Sequence, residues 1–346
     1  MSGSLSFHFL PDFAALRQAA PQLAGAAVGE PFYDIEWFEN LAARGFDPSA
    51  PLLLARAGNL VLALADGEQL VSFSNYYSAL YGPLGGAMPD EAECAALAAG
   101  LHADSRRWPV IQLQPLASAN LFYSRLAAAL SAAGYRVDRF FCFGNWWLSV
   151  AGRDYAAYSA TLPARLQNTL RRAGKKLERA GKAEFVIQRG VDDQLEAAIA
   201  DFVAIYAASW KQPEPFPEFI PGLCRLAARR GWLRLGLLRL DGHAIAAQIW
   251  LVCAGKASIF KLAYRSGYEQ LSPGSLLTAE LMRHAIDIDG VGEIDYLSGD
   301  DAYKRDWMSE RRERIGLVAF RTDTPAGLAA AARHYLGKLL RRRKSP

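Results

Sequence analysis

The stretch Leu271-Ser272-Pro273-Gly274-Ser275-Leu276-Leu277 combines residue types that suit the start of a helix able to hold an anion. Ser272 or Ser275 can cap such a helix, Pro273 suits its first position, and Gly274 lets backbone approach a bound group with no side chain between. Free N–H groups and the positive end of the helix dipole then face outward together. That end favours an anion by a few tenths to ~1 kcal/mol from the dipole alone, and phosphate is the usual occupant. The same residues also read simply as a good helix start. A second concentration of chemical side chains, Ser298 to Trp307, holds Asp300, Asp301, Tyr303, Lys304, Arg305 and Asp306. Within it Lys304 and Asp300 also fit an ordinary surface ion pair.

The elements that must position these residues follow from periodicity. Leu233 to Leu240, His243 to Val252 and Ala257 to Tyr264 read as an antiparallel meander, with Asp241-Gly242 and Ala254-Gly255-Lys256 as its turns. Leu277, Leu281, Ala285 and Ile288 recur at helical spacing after the loop, while Glu280, Arg283 and Asp287 fall on other faces. A short strand, Glu293 to Leu297, comes next. The fold class is α/β, and the connection through the helix should be parallel and right-handed.

From Gly242 to Trp307, the strand G-x-x-I-A-A-Q-I, the loop Y-x-x-x-Y-x-x-L-S-P-G-S-L-L and the ending I-D-Y-L-S-G-D-D-A-Y-K-R-D-W resemble the acyltransferase domain of the GNAT superfamily. The closer similarity is to the branch grouped with cellulose-biosynthesis CelD-type proteins and Fem-type peptidoglycan aminoacyl transferases, and it extends over about residues 30 to 320. The resemblance implies tandem GNAT-like domains with mixed central sheets flanked by helices. It also implies acyl-CoA, acetyl or longer, held by Leu271, Ser272, Pro273, Gly274, Ser275 and Leu276. The loop departs from the family's Gln/Arg-x-x-Gly-x-Gly/Ala pyrophosphate pattern in lacking both a basic residue and the second glycine.

Tyr303-Lys304-Arg305-Asp306-Trp307 is similar to the Phe-Lys-x-x-Phe element of Fem-type transferases, which implies that Lys304 steadies the oxyanion of the acyl group under attack. An amine acceptor must lose a proton. Asp300 or Asp295 could take it, directly or through water, if burial raises its pKa. Tyr303 and Tyr264 are the further candidates beside them. In GNAT folds the loop between the first helices borders the acceptor, so the resemblance implies contact from Trp210, Phe216 and Phe219. The segment Lys211 to Phe219, with three prolines, should be an ordered surface loop or lid, and its aromatics also serve to pack it down.

Composition limits the alternatives. At 346 residues, 51% hydrophobic and 21% charged, the chain can bury a core in each of two domains. It has no run of 18 or more apolar residues, and Met1 to Leu10 lacks the basic start and long apolar centre of a secretory signal, so a cytoplasmic location is expected. Cys94, Cys142, Cys224 and Cys253 are scattered, and the five histidines show no ligand spacing, which implies reduced thiols and no metal.

Residues 1–152 read as a degenerate GNAT-like domain, residues 153–322 as the catalytic one, and residues 323–346 as a basic C-terminal helix. In the first, Phe32 to Leu41 and Asn120 to Ala133 read as helices, Leu52 to Ala57 and Leu60 to Leu64 as a hairpin, and Val110 to Leu113 and Arg136 to Val150 as strands. The aromatic run Ser72 to Gly86 suits either a cleft wall or packing against the partner domain. Pro163 to Lys182, read as a helical hairpin, carries seven basic residues against Glu178 alone. Gly327 to Pro346 carries six and no acid, and with a chain total of +4 these two segments of +6 leave −8 elsewhere. Such concentration suits either solvated helix faces or an anionic partner. The first segment would be the surface for tRNA if the donor is aminoacyl-tRNA. The second would place the protein at the inner face of an anionic membrane. The function expected is acyl transfer from acyl-CoA to an amine-bearing small molecule or an envelope or polysaccharide precursor; the alternatives are an aminoacyl-tRNA-dependent transferase and a non-catalytic polysaccharide assembly factor.

Overall fold

The structure is a computed structural model that describes residues 5–24 and 28–342, with side chains described as far as residue 340. The basic run Arg341-Arg342-Arg343-Lys344 therefore has no described side chains. In chain order the strands are β1 (Phe7–Leu10), β2 (Leu52–Ala57), β3 (Leu60–Ala65), β4 (Leu70–Ser72), β5 (Val110–Ala117) and β6 (Tyr135–Ser149). They continue as β7 (Ala183–Gln188), β8 (Leu233–Leu240), β9 (His243–Cys253), β10 (Lys256–Tyr264), β11 (Glu293–Asp295) and β12 (Glu310–Arg321). The architecture is mixed α/β, sheets flanked by helices, as the sequence implied.

Two compact units divide the chain, one of residues 1–143 and 313–346, the other of residues 144–312. In the first, β1 to β4 pair antiparallel in succession, β5 joins β4 in parallel, and β12 joins β5 antiparallel. The aromatic run packs within this unit. Phe73, Tyr77 and Tyr81 are buried, Phe73 lies 4.2 Å from Phe46, and the Tyr81 hydroxyl donates to the Ala63 carbonyl at 2.7 Å. Only Tyr76 of these aromatics stands out into solvent.

In the second unit the expected meander is present as β8, β9 and β10, flanked by β7 on one side and by β11 and β6 on the other. The helix Pro273–Arg283 connects β10 to β11, which do pair in parallel. It lies close on the sheet at Gly236, where a Cβ would come within 2.8 Å of Leu281 Cδ1. Leu277, Leu281 and Ala285 face the core as expected, but Ile288 is 58% exposed. A π turn over His284–Ile288 widens the helix, so the inward position passes to Ile286.

Other departures are local. The strand expected to reach Leu297 ends at Asp295, because Leu297 takes a left-handed conformation with φ 54°. Pro163 to Lys182 is one helix, Ala164–Ala180, and not a hairpin; Leu166, Ala173 and Leu177 form its buried face. It packs beside the helix Pro273–Arg283 and the turn Glu269–Leu271.

Candidate active site

Strands β10 and β11 pair through only three residue pairs, Lys256/Glu293, Ala257/Ile294 and Ser258/Asp295. Beyond them β10 has a bulge, seen as a register shift against β9 between Ile259 and Lys261, and β11 stops. The strands part, and a cavity of about 690 Å³ opens there. Leu262 and Tyr264 line it from β10, Tyr296 and Tyr303 from the chain after β11, and Gly274, Ser275 and Thr278 from the helix that links the strands. Left-handed residues flank it on both sides: Ser272, φ 47°, before the helix, and Leu297 after β11. Non-glycine residues persist in that region only where their surroundings enforce it, which recurs at functional sites.

The helix start is more closed than its sequence suggests. Ser272 occupies the N-cap position without a side-chain cap bond, and its carbonyl already accepts from Ser275 N at 3.1 Å and Leu276 N at 3.2 Å. Pro273 has no N–H, no acceptor for Gly274 N–H is found among the described residues, and Gly274 lines the cavity. The expected close approach at Gly274 is made by Tyr264, whose Cδ1 would lie 3.2 Å from an added Cβ. Of the six residues expected to hold a donor, Gly274 and Ser275 line the cavity. Leu271 and Pro273 are buried in the core, Leu276 packs against it, and Ser272 sets the turn.

Gln248, which sequence reasoning noted only as part of a motif, fixes this corner. Fully buried, it donates from Nε2 to the Gly274 carbonyl at 2.9 Å and to Thr278 Oγ1 at 2.8 Å, while its Oε1 accepts from Trp250 Nε1. Basic charge is supplied by the neighbouring helix. Arg165 and Thr169 line the cavity, Arg172 is exposed one turn on along the same flank, and Lys176 Nζ reaches the Gln270 carbonyl at 3.4 Å. The basic residue missing from the loop is thus present beside it in space.

The expected catalytic groups are placed differently from expectation. The Lys304 side chain is buried, and its ammonium donates to the carbonyls of Ser298, Tyr296 (3.4 Å) and Gly299 (3.4 Å). Asp301 is its ion-pair partner at 3.4 Å, and Lys304 does not line the cavity. The ammonium expected to steady an oxyanion is thus bound to the turn after β11. Burial pulls its pKa down, with Asp301 acting against the fall.

Asp300 is nearly half exposed and paired with Arg311 at 2.7 Å, with Trp146 Nε1 donating to it at 2.8 Å. Its pKa is lowered by the Arg311 guanidinium, the opposite of what a general base there would need. Asp295 is completely buried and accepts from Arg312, Lys256, Asn145 Nδ2 (2.5 Å) and Leu297 N (2.6 Å). It anchors the left-handed turn and does not line the cavity. Tyr303 does line the cavity, stands edge-on to Tyr296 at 5.7 Å, and is pushed up to about 12 by burial, then by Asp301.

Trp210 lines the cavity and meets Tyr264 at 4.3 Å between ring centroids. Phe216 and Phe219 do not line it, and Phe219 is fully buried as packing under its helix, Phe219–Arg229. Behind the proline-rich loop lies a second, mostly apolar cavity of about 380 Å³, lined by Phe202, Tyr206, Pro213, Pro217 and Ile220. Lys211 borders both cavities. Burial and the nearby Lys261 ammonium pull the Lys211 pKa down. Glu214, also on the second cavity, holds Lys261 Nζ at 2.7 Å.

Burial raises the Cys94 and Cys142 thiols to about 11 and Cys224 to about 12, away from the range of an activated nucleophile. Cys253 is buried outside the cavity. No group of three or more His, Cys, Asp or Glu among the described residues could hold a metal ion.

Residues 164–305 match the Acetyltransferase (GNAT) domain family. No curated protein matches the sequence. Among solved structures, the fold is similar to that of FemX, with a TM-score of 0.59 at 11% identity over 90% of this chain and 96% of that one. It is similar as well to a conserved protein of unknown function from Bacteroides thetaiotaomicron VPI-5482 (0.55, 11%, 90% and 99%). L-PGS from Bacillus licheniformis also shares the fold (0.51, 13%, 90% and 97%). The GNAT segment contains the cavity residues Arg165 to Tyr303 and ends just before Asp306 and Trp307.

Proposed function

We propose that the protein is an N-acyltransferase that moves an acyl group from acyl-CoA to an amine acceptor. The observation that carries this is the cleft where β10 and β11 part, bounded at one end by Gly274 N–H and the basic flank of the helix Ala164–Ala180. The thioester lies in the cleft between Tyr264, Tyr296 and Tyr303. The phosphates lie toward the helix start and Arg172 and Lys176, where dipole and side-chain charge have the same sign.

The acceptor enters past Trp210 and Lys211, with its apolar part in the cavity behind the proline-rich loop. The amine nitrogen attacks the thioester carbonyl directly, the carbon–sulfur bond breaks, and the proton released by nitrogen is returned to the leaving sulfur. Tyr303, whose pKa is raised above that of an ordinary tyrosine, serves that transfer as acid or hydrogen-bond donor. Asp301, at the cavity wall and about 60% exposed, receives the amine proton through water. Lys304, Asp295 and Asn145 act at one remove by holding the turn that carries Tyr296 and Tyr303.

A Fem-type reaction with aminoacyl-tRNA is the second reading, favoured by the exposed cations of the helix Ala164–Ala180. Under either reading the acceptor we propose is an amine-bearing small molecule or an envelope precursor. Differential scanning fluorimetry with acetyl-CoA and longer acyl-CoA tests the donor. Stabilisation rising as RT ln(1 + [L]/Kd), abolished by Gly274→Asp, is expected. No shift with any acyl-CoA at millimolar concentration would remove the coenzyme A reading.

A further inference from the structure

The last helix, Pro325–Arg342, turns its leucines away from the protein. One side is anchored: Ala331 packs with Val318 and Phe320, and Asp138 accepts from Lys338 at 2.7 Å and pairs with His334 at 2.8 Å. On the other side Leu328, Leu336, Leu339 and Leu340 are each more than half exposed. At about 100° per residue these four fall within an arc of roughly 120°, with Ala329 and Ala332 between them and Arg333 at its edge. A continuous leucine face on the outside of a folded unit needs a cover, and scattered surface leucines would not make one.

Charge says what the cover is. From Gly327 to Pro346 the sequence holds six basic residues and no acid. A second copy of this helix would bring like charges together, whereas an anionic lipid surface meets both the leucines and the cations. No helix among the described residues is long and apolar enough to cross a membrane, so the fit is parallel to the surface.

We propose that the helix Pro325–Arg342 docks the protein on an anionic bilayer, its leucine face at the acyl boundary and Arg333 among the headgroups. This stands apart from the acyl-transfer reading and needs no activity to test. The full chain is sedimented with vesicles of phosphatidylcholine alone and of phosphatidylcholine with phosphatidylglycerol. Binding to the second alone, weakening as salt rises, is expected.

Two variants separate the contributions. Replacing Arg341, Arg342, Arg343 and Lys344 by Gln should weaken binding about 5-fold for each charge that reaches the surface. Replacing Leu328, Leu336, Leu339 and Leu340 by Ser should weaken it by at least ~10-fold, with an unchanged melting curve because all four are exposed. Failure to bind anionic vesicles, or unchanged binding by the leucine variant, would overturn the proposal. So would a leucine variant that turns a dimer into a monomer by light scattering, since a second copy would then be the cover.

Discussion

Replacing Lys304 by Met separates an anchoring lysine from a catalytic one. The ammonium donates to Ser298 O and more weakly to the carbonyls of Tyr296 and Gly299, all in a turn that contains left-handed Leu297. A hydrogen bond from a charged donor contributes about 1.5–3 kcal/mol, and a buried carbonyl left without a donor costs ~1 kcal/mol or more. Against this, the charge is already penalised by burial, as its lowered pKa shows, so methionine recovers part of the loss. The net expectation is destabilisation by about 2 kcal/mol, or a fall in Tm of about 4–8 °C for a domain of this size. The assay is a thermal or urea melt beside steady-state kinetics with any accepted amine. Loosening the turn displaces Tyr296 and Tyr303, so kcat and donor KM should worsen together. An unchanged melt with kcat down ~10²–10³-fold and KM unaltered would refute the anchoring role and restore Lys304 as an oxyanion stabiliser.

Tyr303→Phe should leave the melt within ~1 kcal/mol and lower kcat by ~10²-fold. Because burial raises its pKa, the acid form outlasts an ordinary tyrosine, so wild-type rate should show no fall at the usual value of about 10; a tyrosine-like fall there would refute the assignment. Reversing Arg171, Arg172, Lys175 and Lys176 to Glu should raise the Km for acyl-CoA and leave kcat near wild type. If instead the four carry tRNA, wild-type RNA binding will fall steeply with salt and vanish in the variant.

Local rules made much of the second unit legible. The meander β8 to β10 and the helix start at Pro273 follow from alternation, turn residues and proline chemistry, all set within a few residues of sequence. Of the residues singled out in the sequence, Gly274, Ser275, Tyr264, Trp210 and Tyr303 line one cavity. What a charged side chain does once there was another matter. Lys304, Asp295 and Asp300 stand among residues whose types suit acyl transfer, yet their partners are Ser298 O, Arg312 and Arg311, which only the folded second unit brings beside them.

The same holds in reverse for the residues that were passed over. Lys211 and Glu214 gain their place from the fold of the proline-rich loop onto Lys261, a contact across 47 residues for Glu214 that no spacing rule reports. The π turn that exposes Ile288 reflects packing overriding a periodic pattern, whereas the single helix at Ala164–Ala180 keeps one periodic face through Leu166, Ala173 and Leu177. Sequence by itself determined most of the elements and the charge of the two basic segments, because each depends on neighbours in the chain. Only the tertiary structure decided which ionisable groups are satisfied internally and which face the cavity, because the energy of a charge depends on its burial and on partners distant in sequence.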